Sequence, residues 1–440
     1  MTEKSLSEIN NSVTVPSVYE SAFWRKFLAY SGPGALIAVG YMDPGNWLTS
    51  IMGGIHYRYL LLSVILMSIL VAMLMQYLAA KLGVVTQLDL AQIIRQHVNR
   101  PVAILLWLLS ELAMMATDIT SVVGSAIALT LLFKVPLFIG ILITSLDVLL
   151  LLALLRFGIQ RVEAIVFILI FAVGLVFAYE VALAQPQLGD LLRGYCPQIS
   201  LLHHSQLVLS LGIIGATIMP HNLFLHSSLS QTRRFDHNDP AQVAEAVRFS
   251  KWDSNVHLFV ALIINSLLLI LGAALFYGTQ ANLSAFSDLY HALQNPHLAG
   301  KIASPFLSTL FAIALLASGQ NATITGTLSG QIVMEGFTNL KLPLWLRRVI
   351  TRLLAIIPVI LLVILFGAKE GVLDQLIVYS QIFLSIALPF SMFPLVYFTS
   401  KTRYMTTRFV NQKWVTVLGY LIASVLTILN VQLILSVFVN

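Results

Sequence analysis

Polar residues are scarce along most of this chain for about twenty positions at a time, then arrive in short clusters. A water-exposed helix would alternate apolar and polar faces on its helical period. Runs that lack this alternation and can cross roughly 30 Å of hydrocarbon predict membrane-spanning helices. Eleven such runs fall near 27–56, 59–83, 101–133, 136–156, 161–184, 205–230, 251–278, 302–335, 343–366, 373–400 and 411–439. The segment 86–99, with Thr86, Asp89, Gln92 and Arg95, is too polar to span and is expected to lie along the surface as a short amphipathic helix. Residues 1–26 carry no charged–apolar–cleavage pattern and read as a disordered cytoplasmic tail, not a signal peptide.

Composition agrees with an all-α integral membrane protein. Hydrophobic residues make up 58% and charged residues 10%, against roughly 25% charged in soluble domains. One cysteine, Cys196, excludes a disulfide framework and any CxxC metal or redox motif. The net charge of +6 could suggest nucleic acid, but its distribution does not. With the N-terminus in the cytoplasm, nineteen Lys and Arg fall on the inner side, five on the outer side, and Arg352 lies within a span. That positive-inside asymmetry places the chain in a cell membrane, with an odd number of spans leaving the C-terminus outside.

The first and sixth spans each carry a proline at their centre, within Gly40-Tyr41-Met42-Asp43-Pro44-Gly45-Asn46-Trp47 and Ala216-Thr217-Ile218-Met219-Pro220-His221-Asn222. A kinked but continuous helix is the plain reading of one such proline. Two of them, five spans apart and flanked by polar residues, predict broken helices and two five-helix repeats, 27–184 and 205–400, with 411–440 appended. Inverted repeats of this kind put a binding site where the first helix of each repeat unwinds, because irregular backbone at membrane depth must face a cavity or buried protein.

Asp43 defines what that site takes. A carboxylate at mid-membrane costs roughly 2.5–3.5 kcal/mol on insertion scales, and no Lys or Arg occupies the core of either broken span. Its expected partner is a cation brought by the substrate. Asn46 adds a neutral oxygen and His221 lies at the facing break. Met219 offers a thioether, which suits softer transition metals better than Mg²⁺ or Ca²⁺. A loose mixed site of this type fits an ion that must leave again, and no resident cofactor is expected.

Asp43-Pro44-Gly45-Asn46 together with Met219-Pro220-His221 resembles the signature pair of the Nramp divalent metal transporters. Further matches are Gly83-Val84-Val85-Thr86, Ala317-Ser318-Gly319-Gln320 and Tyr379-Ser380-Gln381. The resemblance implies a leucine-transporter-type inverted repeat and proton-coupled uptake of Mn²⁺, Fe²⁺ and similar ions, with Mn²⁺ favoured by the compact, bacterial-looking chain. It implies metal ligation by Asp43, Asn46 and Met219, by the carbonyls of Gly40 and Ala216, and in some states by Gln381. One chain suffices for this fold.

Proton coupling needs titratable groups along a path. Glu111 and Asp118 share one face of the third span, His221 is the pH-sensitive group at the break, and Arg352 in the ninth span is expected to pair with Asp118. The family usually adds a third acid where this chain has Ser121, so coupling either runs without that acid or is weaker. Asp147 and Glu163 match family positions and read as structural, and His226 is expected to pack against a neighbour. A passive channel would be built around a continuous pore, commonly by symmetric subunits. An enzyme is disfavoured, since HExxH is absent and Gly326-Thr327-Leu328-Ser329-Gly330 lacks the GxSxG spacing.

Overall fold

Prolines start helices in this chain more often than they kink them. Pro33, Pro44, Pro220, Pro240 and Pro305 each take the first helical position, where the missing N–H is not needed and the fixed φ is already helical. The computed structural model describes residues 5–6, 9–16, 22–147, 158–279, 283, 285–339, 346, 350, 353–354, 356–361, 365 and 370–439. In order, its principal helices are α1 (Phe23–Tyr30), α2 (Pro33–Gly40), α3 (Pro44–Tyr57), α4 (Leu62–Thr86), α5 (Leu90–His97), α6 (Arg100–Phe133), α7 (Leu137–Ser145) and α8 (Ile159–Ala184). There follow α9 (His204–Ile218), α10 (Pro220–Leu229), α11 (Pro240–Phe276), α12 (Pro305–Thr338), α13 (Glu370–Thr399), α14 (Thr402–Phe409) and α15 (Lys413–Val439).

Eight stretches among the described residues are long and apolar enough to cross a membrane, and they match expected spans two, three, five to eight, ten and eleven. The first span is divided into α2 and α3. Residues 148–157 of the fourth span, and Arg352 with most of the ninth, lie outside the described residues.

Both central prolines interrupt their spans outright. Tyr41, Met42 and Asp43 separate α2 from α3. Met219 alone separates α9 from α10, with φ +35° and ψ 111°. A non-glycine residue held there costs of order 1–3 kcal/mol and persists only where packing enforces it; Met219 is fully buried. Large apolar side chains fill the space between the breaks and the scaffold, with Trp47 meeting Phe177 edge-on at 4.5 Å.

Three expectations need correction. Part of the 1–26 tail is packed, not disordered: β1 (Val13–Thr14) pairs in parallel with β2 (Arg233–Arg234), Leu6 is buried, and its N–H donates to Glu335 Oε2 at 2.9 Å. Backbone pairing and two apolar anchors, Leu6 and Val13, supply the order that the polar composition concealed. The 86–99 segment does form a short helix, closed by an Asp89–Gln92 capping box, but its apolar face docks into the protein, where Leu90 and Ile94 are fully buried. Finally, α11 begins eleven residues before the predicted 251, because Val243, Ala246 and Phe249 pack with Tyr30 and Val84 as a separate apolar cluster.

Candidate metal site

The breaks leave particular carbonyls without partners. A helical C=O accepts from the N–H four residues on; for Gly40 and Ala216 that residue is Pro44 and Pro220, which have none. The two carbonyls between α2 and Asp43 are satisfied by side chains instead. Asn265 Nδ2 donates to Tyr41 O at 2.7 Å, and Trp47 Nε1 and Ser318 Oγ donate to Met42 O. Gly40 and Ala216 are thus the carbonyls that the prolines set free.

They meet at one point. Asn46 Nδ2 donates to Ala216 O at 2.6 Å, lies 3.2 Å from Asp43 Oδ1 and reaches Gly40 O at 3.4 Å. An amide –NH₂ carries partial positive charge, so three oxygens expected to hold a cation converge on a donor that occupies a cation's place. Rotating that amide by a half-turn would present Asn46 Oδ1 to the same point. Asp43 is fixed as the N-cap of α3, accepting from Asn46 N at 2.9 Å. Its other oxygen accepts from Thr120 Oγ1 of α6 at 3.0 Å.

Met219, in the α9–α10 break, packs with Ala113 and Ala116 of α6 and Leu384 and Ala387 of α13. Asn222 Nδ2 lies 3.8 Å from Met219 Sδ and packs so tightly on Gly40 that a Cβ there would collide with it. Gln381, from α13, lies against Gly45 in the same way, and its Oε1 is buried with no hydrogen-bond partner among the described residues. Asp43, Asn46, Met219 and Gln381 are all 0% exposed, so the site is sealed from solvent in this conformation. Among the described residues no three His, Cys, Asp or Glu side chains cluster as a metal site. The groups that converge are the Asp43 carboxylate, the Asn46 amide and the carbonyls of Gly40 and Ala216.

Three neighbours escaped sequence reading. Thr120, Thr217 and Asn222 all touch the site residues, yet only the fold brings α6 beside the α2–α3 break. His226 packs against a neighbour as expected, and that neighbour is Gln76: Gln76 Oε1 lies 3.0 Å from His226 Nδ1, and Gln76 Nε2 donates to the Tyr41 hydroxyl at 2.9 Å.

The titratable candidates are spread more widely. His221 is buried at the start of α10. Glu111 Oε1 accepts from Trp107 Nε1 at 2.9 Å. Asp118 packs on Gly326 of α12. At Ser121 the hydroxyl donates to Thr117 O at 3.1 Å, inside its own helix. Asp147 accepts from Gln320 and Thr323 of α12, each at 3.2 Å.

A second buried polar cluster pins the start of α2. Asp253 of α11 accepts from Gly34 N at 2.7 Å and from Ser31 Oγ at 3.0 Å, and pairs with His257 Nδ1 at 3.0 Å. Arg233 pairs with Glu163 at 2.8 Å and donates to Ser31 O. Gly32, with φ +138°, turns beneath that pair where no side chain fits.

A helical membrane protein with two broken spans around one sealed carboxylate belongs to the leucine-transporter fold class. Solved structures of Mhp1, a nucleobase-cation-symport-1 family transporter, and of MhsT with L-phenylalanine share that fold. Mhp1 has a TM-score of 0.56 at 13% identity, over 92% of this chain and 90% of that one. For MhsT the values are 0.59 at 16%, over 92% and 98%. Residues 34–436 match the Nramp family, natural resistance-associated macrophage protein-like, and the chain belongs to it. It is 55% identical over 435 residues to the divalent metal cation transporter MntH of Levilactobacillus brevis, covering 99% of this chain and 94% of that one. The MntH of Staphylococcus saprophyticus is 52% identical, over 99% and 97%. The manganese transporter of Eremococcus coleocola, solved with an aromatic bis-isothiourea compound, superposes with a TM-score of 0.90 at 51% identity, over 97% and 90%.

Proposed function

We propose that this chain imports divalent transition-metal ions, Mn²⁺ and Fe²⁺ among them, across the cell membrane together with protons, by alternating access. The observation that carries the reading is the convergence of Asp43 and the two proline-freed carbonyls of Gly40 and Ala216 on one sealed point. Asp43 supplies the charge, Asn46 an amide oxygen after rotation, and Met219 the thioether that disfavours hard ions. Gln381 has an unpartnered buried oxygen to add when the helices move. The names of the relatives point to the same substrate class.

Opening toward the cytoplasm would swing α2, which the Asp253 and Arg233–Glu163 cluster now holds. Protons would travel by Asp43, His221, Glu111 and Asp118, with Arg352 as the counter-ion of Asp118. A second reading, metal transport with weak coupling, draws on Ser121, whose hydroxyl is engaged by Thr117 within its own helix. Mn²⁺ uptake into proteoliposomes at two external pH values, with and without excess Mg²⁺, separates these readings. Uptake that speeds up at low pH, acidifies the lumen and ignores Mg²⁺ supports proton-coupled import. Uptake indifferent to pH leaves the weakly coupled carrier, and suppression by Mg²⁺ refutes the role given to Met219.

A further inference from the structure

At the end of the molecule that carries most of its basic residues, α4, α11 and the α14–α15 turn enclose a cleft of about 480 Å³. Lys81, Lys251 and Arg408 line it, one from each element. Among the described residues, ion pairs are made by Lys26, Arg58, Arg233 and His257, and none involves the three cleft cations. Lys81 donates to Asn411 Oδ1 instead. The ammonium groups of Lys81 and Lys251 stand 5.0 and 5.3 Å from the centre of the same Tyr77 ring. Two like charges gathered on one ring repel each other, and an anion between them would relieve that repulsion.

The remaining wall has a different character. Met73 and Leu74 lie about two turns along α4 from Lys81, roughly 11–12 Å deeper toward the bilayer centre. Val415 continues the apolar surface. Trp414, 61% exposed, sits beside the cation cluster at the start of α15, where an interfacial aromatic belongs. A cation-lined mouth above an apolar wall matches an amphiphile with a negative head, and basic pockets between spanning helices on the cytoplasmic side are where such lipid head groups bind.

We propose that this cleft binds an anionic phospholipid of the inner leaflet. Its phosphate would sit among Lys81, Lys251 and Arg408, and one acyl chain would run along Met73 and Leu74. The bound lipid would tie the turn before α15 to α4 and α11.

The test uses the full chain, stripped of lipid in neutral detergent, with phosphatidylglycerol, phosphatidylcholine or inorganic phosphate added. Thermal unfolding and native mass spectrometry are the readouts. The wild-type protein should gain at least about 3 °C from phosphatidylglycerol alone and retain one such lipid per chain. The doubly substituted Lys251→Gln/Arg408→Gln protein, altered only at exposed side chains, should lose most of both effects. An equal gain in that variant, or an equal gain from phosphatidylcholine, would overturn the assignment. Inorganic phosphate matching the lipid would make this a soluble-anion site and overturn it as well.

Discussion

At the scale of single residues, the proposed site draws its charge from Asp43 and its selectivity from Met219. Asp43→Ala removes the one carboxylate that the described residues bring to the convergence point. Calorimetric Mn²⁺ affinity should fall by more than about 100-fold, beyond what loss of an outer-shell partner costs; micromolar binding in the variant would refute the ligand assignment. Met219→Ala should leave Mn²⁺ transport partly intact while admitting Ca²⁺, measured as Ca²⁺ competition against Mn²⁺ uptake. Unchanged exclusion of Ca²⁺ would remove the thioether argument. Asp43 and Met219 were legible in the sequence because each is an odd residue for its place: a charge in an apolar run, and a soft donor beside a helix-breaking proline. The freed carbonyls carried a signal too, since Gly40 and Ala216 each stand four residues before a proline. Thr120 and Asn222 carried none. Their roles depend on α6 and α10 lying against the α2–α3 break, a proximity no local pattern encodes.

At the scale of elements, the broken helices work because small residues let neighbours close on them. Gly45, in the first turn of α3, has the Gln381 amide where a Cβ would be. Gly45→Ala should therefore displace Gln381, lower stability by about 1–3 kcal/mol through overpacking and weaken Mn²⁺ binding together with it. Thermal unfolding with and without Mn²⁺ checks both effects, and a stable variant with wild-type affinity would mean that Gln381 has room to move. Spanning helices were legible from apolar run length alone. Their extramembrane extensions were not: the first turns of α11 and the apolar face of α5 are covered by other parts of the protein, and sequence polarity there suggested a surface.

At the scale of the whole molecule, the N-terminal segment and α5 meet at Asp89, which is fully buried. Burial pushes its carboxyl up to about 6, against the opposing pull of the Ser5 hydroxyl from the N-terminal segment and of the Gln92 and Ala91 N–H groups. Because the folded value exceeds the ordinary 3.8, folding favours the protonated form. The associated stability is full below about pH 4, is lost as pH rises through about 6, and amounts to at most about 3 kcal/mol. Asp89→Asn keeps the helix cap and fixes the neutral form. The difference in unfolding temperature between variant and wild type should grow from pH 4 to pH 6 and then level; a constant difference would place the titration elsewhere. The leucine-transporter arrangement was implied by the resemblance to the Nramp family, and the spacing of two prolines suggested its two repeats. What tied its ends together was not legible, because the Arg233–Glu163 pair joins residues seventy positions apart.

The Asn46 amide at the convergence point bears on how fast such a protein can turn over. After unloading, a carrier has to complete its return leg with nothing bound, and a bare carboxylate sealed at mid-membrane would make that leg slow. Asn46 Nδ2 and Thr120 Oγ1 donate to the two oxygens of Asp43, and in the proposed carrier those bonds would offset that cost. Thr120→Val withdraws one of those bonds without touching an assigned ligand. Net Mn²⁺ entry into metal-free vesicles should then slow several-fold, while isotope exchange between Mn²⁺-loaded vesicles and external Mn²⁺ stays near the wild-type rate. Equal slowing of the two would mean that the empty crossing is not what these hydrogen bonds serve.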